Sequence, residues 1–240
     1  MEILDEIIDM LNAGEFNKVT AKIGEFLNQN PGYKKIDYYH FSNPLEELLF
    51  NENIKDIFSV KTLELDEPLE EIYTIYSIAH MNLGNMDEAE KYLKIANQIN
   101  PVSAPILMRL CELYQQKHEE EKLIDLTFDI FKYAYERELI VSNYFKLADY
   151  LYHTNQNMEL YDHLFNFFMF LRAGEGQHPA GEDVEYFKKH DIPVGVNPEI
   201  LSMLLYLADY HTKENMPNSA RYFKEIYREL YDFNKYLDNL

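Results

Sequence analysis

The chain has 240 residues, with 42 acids against 22 bases for a formal charge of −20, and it is 47% apolar and 15% aromatic. That balance excludes duplex nucleic acid, whose binding rests on neutralising phosphates with Lys and Arg, and disfavours an anionic membrane surface for the same reason. No apolar run approaches the roughly 20 residues of a membrane-spanning helix, while the apolar content is ample for a packed core. The opening Met1-Glu2-Ile3-Leu4-Asp5 is acidic where a secretory leader would be basic, so a cytoplasmic protein is expected. Cys111 is the only cysteine, and no intramolecular disulfide can form.

From the amino terminus, Gly14, Phe16 and Pro31 punctuate a first helical hairpin over residues 1–34. Residues 35–69 are an insertion. In it Asn43-Pro44-Leu45-Glu46-Glu47 reads as a helix start, with Asn43 as cap, Pro44 in the first turn and acids facing the helix dipole. The clearest unit spans 70–103. Ser77, Ala89 and Ala96 are short enough to let two helix axes approach, and Tyr73, Tyr76 and Leu93 fill the space between them. Gly84 accepts the left-handed backbone that ends the first helix, and Pro101 ends the second while pushing Asn100 toward extended dihedrals.

Three looser units follow. In 104–137, Leu107, Leu110, Cys111 and Tyr114 occupy the first helix, Cys111 falls where a small packed residue is needed, and His118 stands in for the turn glycine. The run Glu119-Glu120-Glu121 reads as a solvated helix start. The unit 141–174 places Leu147 and Ala148 opposite Leu160, Leu164 and Phe167. Residues 172–198 hold Gly174, Gly176, Gly181, Gly195, Pro179 and Pro193, which predicts a long loop with one short helix near Glu182–Lys189. The unit 201–234 runs through Leu207, Ala208, His211, Asn215 and Ala220 into a final helix from Pro217 to Tyr236. That helix is aromatic over more than one stripe, so it either folds back over its neighbours or forms a homodimer contact.

The spacing in 70–103 resembles the tetratricopeptide repeat, a helical hairpin of about 34 residues with an aromatic, a Leu-Gly, a Tyr, a Gly, two Ala and a Pro at set places. Tyr73, Tyr76, Ser77, His80, Gly84, Ala89, Ala96 and Pro101 fall on those places, with Tyr76, Ser77 and His80 replacing the usual Leu, Gly and Tyr. One hairpin cannot bury its own apolar face, so the weaker copies are what the resemblance requires. It implies an all-α fold, a right-handed superhelix of helical hairpins continuing through residues 1–240 as a single repeat domain.

The resemblance also implies where a partner would lie, because the second, fifth, ninth and twelfth places of first helices line the concave face in that family. The ninth places are Ile78, Glu112, Asp149 and Asp209; the twelfth include Met81 and Tyr152; the fifth include Met108, Phe145 and Leu205. An acidic groove with soft apolar walls results, suited to a basic, amphipathic peptide or partner helix. Family members that grip a carboxy-terminal carboxylate use Lys and Asn on these faces. Here the corresponding places hold Thr74, Ile78, Met108, Glu112, Phe145 and Asp149, so that mode is not expected.

Enzyme signatures are lacking in the sequence: there is no phosphate-binding Gly-rich loop ending in Lys-Ser or Lys-Thr, no nucleophile elbow and no His-Glu-x-x-His. His153 and His163, ten residues apart, do not share a helical face, so a metal site from them with Asp162 is not expected, nor is any cofactor. A non-catalytic interaction module is the leading expectation. The alternative is a peptide-responsive regulator that uses residues 172–198 as a hinge.

Overall fold

A computed structural model describes residues 2–34, 38–53 and 68–240. The described residues are all-α, with no strand among them. They form two compact units, Met1–Lys117 and His118–Leu240.

The first unit contains α1 (Glu2–Asn12), α2 (Phe16–Gln29), α3 (Pro44–Asn53), α4 (Leu69–Asn82), α5 (Met86–Ile99) and α6 (Ala104–Lys117). The hairpins α1–α2 and α4–α5 share one register: α1 ends at Asn12 and α4 at Asn82, α2 starts at Phe16 and α5 at Met86. Both turns use a glycine at positive φ, Gly14 at 72° and Gly84 at 77°, the region that a side chain disfavours. Ala89, Leu93 and Ala96 are fully buried between the helices, and the Ser77 hydroxyl donates to the Ala89 carbonyl at 2.7 Å. A polar side chain is thus satisfied inside an otherwise apolar contact. Asn100 is extended at φ −132°, as Pro101 requires. Helix α2 also packs on α4, and α5 on α6.

The helix expected inside the insertion is α3, and the Asn43 carboxamide oxygen accepts from the Leu45 amide at 2.9 Å and the Glu46 amide at 3.3 Å. The rest of the expected insertion, residues 35–37 and 54–67, lies outside the described residues. Glu46 is buried and accepts from the Ser42 amide and the Asn100 carboxamide, both at 2.8 Å. Burial pushes its carboxyl up from the usual range, against the pull of those donors. On α5, burial would raise Glu90, but the ammonium groups of Lys117 and Lys94 hold it down at about 2.

The second unit contains α7 (Leu123–Tyr133), α8 (Arg137–Thr154), α9 (Met158–Ala173), α10 (Ala180–Lys189), α11 (Pro198–Lys213) and α12 (Pro217–Asp238). Helix α7 packs on α8, α8 on α9, α9 on α10 and α11 on α12. His118 takes the positive φ, 56°, that Gly14 and Gly84 take in the turns of the first unit. The acidic run at 119–121 does not begin the α-helix. It enters a short 3-10 turn, Glu120–Lys122, and Glu119 pairs with Lys122 one turn on. Cys111 on α6 is fully buried, in keeping with a packing role.

The glycine- and proline-rich segment 172–198 contains the short helix, α10, and is tied down beyond it. The Tyr144 hydroxyl donates to the Pro193 carbonyl and accepts from the Gly195 amide, each at 2.9 Å. The Asn234 side chain brackets Val196, accepting from its amide at 2.7 Å and donating to its carbonyl at 2.9 Å. Helix α12 turns Phe223, Leu230, Phe233 and Leu237 inward and leaves Tyr222, Tyr231 and Tyr236 exposed. Of its aromatics, Phe223 and Phe233 are buried within its own unit. No described helix is long and apolar enough to cross a membrane.

Candidate functional site

Helix α8 sends Tyr144, Leu147, Ala148 and Leu151 into the core. Phe145, Asp149 and Tyr152 lie on the other side of the helix. Asp149 and Tyr152 follow Phe145 at four and seven positions, the spacing at which side chains of one helix become neighbours. Phe145 is 36% and Tyr152 57% exposed. The rings join others from α9: Phe145 lies 5.1 Å from Phe168 and Tyr152 5.5 Å from Tyr161, centroid to centroid, and Tyr161 stacks 5.8 Å from Phe165. An aromatic row with a carboxylate between its members covers the α8–α9 surface. Asp149 lies 3.4 Å from His153 Nε2, with which it pairs when the imidazole is protonated.

Helix α11 repeats the arrangement. Ile200, Leu204, Leu207 and Ala208 are buried, so Leu205 and Asp209 point out beside Tyr206 and Tyr210. The nearby recess of about 510 Å³ between α11 and α12 is different in sign, lined by Arg221, Lys224 and Arg228 together with Thr212 and Glu225.

In the first unit, Ile78 and Met81 on α4 and Glu112 on α6 share a cleft of about 210 Å³ with Asn82, Arg109 and Gln116. The Glu112 carboxylate is already engaged, 2.7 Å from the Arg109 guanidinium. Met108, expected as a groove wall, is buried instead. Ile106, Leu107, Leu110, Cys111, Leu113 and Tyr114 are buried with it, and a helix enclosed on so many sides has no apolar residue to spare for a ligand.

The histidine arrangement was not legible in the sequence. His153 is exposed on α8, and Asp162 is exposed on α9. His163 on α9 instead meets His178, in the turn before α10, and Asp183 on α10, with ligand-capable atoms of all three within 4.8 Å of one another. Asp183 is fully buried; burial pushes its carboxyl up, partly offset by hydrogen bonds from His163 and Asn166. The spacings, fifteen and five residues, follow no metal-ligand motif, so the sequence carried no signal for the set.

No known family model matches the sequence, and no curated protein matches it. Among solved structures, the chain is similar to BtubC (BKLC) from P. vanneervenii, at 14% identity over 96% of this chain and 87% of that one, with a TM-score of 0.42. The functional reading therefore rests on the residues themselves.

Proposed function

We propose that this chain is a non-catalytic protein-interaction module of the tetratricopeptide kind, and that it holds a basic, amphipathic peptide or partner helix on its exposed aromatic-acidic faces. The observation that carries the reading is the Phe145-Asp149-Tyr152 stripe, echoed by Leu205 and Asp209: large apolar side chains kept in solvent, with a carboxylate set between them. Aromatic anchors supply contact area at small entropic cost, and an acid among them selects a Lys or Arg on the partner. The net charge of −20 favours encounter with such a partner at low salt.

The test is capture of partners from native extract by the tagged chain at low and moderate salt, beside an Asp149→Lys, Asp209→Lys double variant. Salt-sensitive partners with basic amphipathic segments, lost in the variant, are the expected result. An unchanged partner set in the variant overturns the reading.

A further inference from the structure

We propose that His163, His178 and Asp183 bind one divalent transition-metal ion of the zinc class. The three residues come from α9, the turn after it and α10, and their side chains converge on one point: Asp183 Oδ1 lies 2.8 Å from His163 Nδ1 and 3.4 Å from His178 Nδ1. A tetrahedral ion with bonds of about 2.0–2.1 Å sets its ligand atoms about 3.3 Å apart. The observed pair of distances brackets that value, so the ion enters by displacing protons and turning rings slightly. The two imidazoles cross at 75° with centroids 5.3 Å apart, which aims nitrogens rather than ring faces at the shared carboxylate.

The surroundings hold the ligands in place. Asn166 donates to Asp183 Oδ2 at 2.5 Å and leaves Oδ1 for the ion. Its carbonyl oxygen accepts from the Gln177 and His178 amides, so the same side chain fixes the turn that presents His178. Tyr186 stacks on His163 at 3.9 Å and sets the plane of that ring. Outer-shell partners of this kind orient metal ligands and tune their basicity. The ligand chemistry, two imidazoles and one carboxylate, selects zinc, cobalt, nickel or iron over calcium or magnesium. The His163 and His178 side chains are 19% and 29% exposed, so an ion can reach the site from solvent.

The experiment titrates Zn²⁺ into the full chain after dialysis against a chelator, by calorimetry, and repeats the titration with Co²⁺ to read its d–d absorption. One equivalent of zinc, a visible tetrahedral cobalt spectrum and a raised melting temperature are expected. His178→Gln, at a partly exposed position, and Asp183→Asn should each weaken uptake at least about tenfold. His118→Asn, an exposed histidine elsewhere, should leave it unchanged. No stoichiometric uptake, or uptake indifferent to His178→Gln, overturns the proposal. If Asp183→Asn does not fold, the His178→Gln comparison alone decides.

Discussion

The α4–α5 hairpin and the α9–α10 pair both bring two helices together at close quarters, with opposite materials. The first uses short side chains at the closest points, apolar bulk around them and a buried hydroxyl between the helices, Ser77, whose donor is satisfied by the Ala89 carbonyl. The second builds its centre from polar groups: a fully buried Asp183, a buried Asn166 and two partly exposed imidazoles. An apolar contact is non-directional and degrades with volume. A polar one is directional and fails when any member loses its partner. The first region should therefore be sensitive to size and the second to charge and hydrogen-bonding capacity.

The largest expected effect is in the first region. Leu93→Ala should cost about 3 kcal/mol in urea unfolding, because the residue is fully buried between packed helices and its removal leaves a cavity. A loss under about 1 kcal/mol would mean that the hairpin collapses around the gap and is not close-packed. Asp183→Ala should cost somewhat less, about 2 kcal/mol, since it strands Asn166 and both imidazoles while the imidazoles can still reach water. A neutral result would show that the polar centre holds nothing together.

Glu46, a buried acid in the unit that holds the apolar hairpin, sharpens the contrast through pH. Its folded-state carboxyl is raised above the ordinary 4.5. Below that value it is protonated in both states, and stability is lost as pH climbs through the folded value. Glu46→Gln, neutral throughout, should thus be more stable than the parent at pH 7, with the gain vanishing toward pH 4. The reverse trend in thermal melts would mean that the charged carboxylate is favoured where it sits.

The smallest effects are at the turns. Gly84→Ala meets no atom within 4 Å but must hold φ at 77°, so it should destabilise by about 1 kcal/mol. Asn155, at φ 51° between α8 and α9, already carries such a strain, and Asn155→Gly should stabilise by about 0.5 kcal/mol. Chemical denaturation of the two variants side by side checks both signs.

The two regions also differed in how far they could be read from the residues alone. Every constraint on α4–α5 acts within one hairpin: a left-handed turn at Gly84, small residues at helical spacing, a proline stop at Pro101. Such rules are local, and α10 and the final helix were legible for the same reason. Met108, expected to line a groove from its place in the repeat pattern, is buried because that pattern gives a face of the helix, while how many neighbours surround the helix is a tertiary matter; α6 is enclosed too widely for its fifth place to stay open. The acidic run at 119–121 had suitable charges for a helix start, yet the backbone there forms only a 3-10 turn before α7. His163, His178 and Asp183 come together through the folding of α10 onto α9, and no spacing in the chain encodes that. Phe145, Tyr152, Leu205 and Asp209 are exposed and Asp149 is half-buried, on the side of each helix away from its buried neighbours in sequence.

The double hydrogen bond at the Tyr144 hydroxyl has a kinetic meaning. It joins α8 to a backbone amide 51 residues further along, at Gly195, in a buried setting. That amide can exchange its proton only when the segment lifts off the ring. Its exchange rate is therefore a clock for the undocking of the 193–196 stretch, separable from global unfolding, and Tyr144→Phe would set that clock running fast while leaving the helices around it closed.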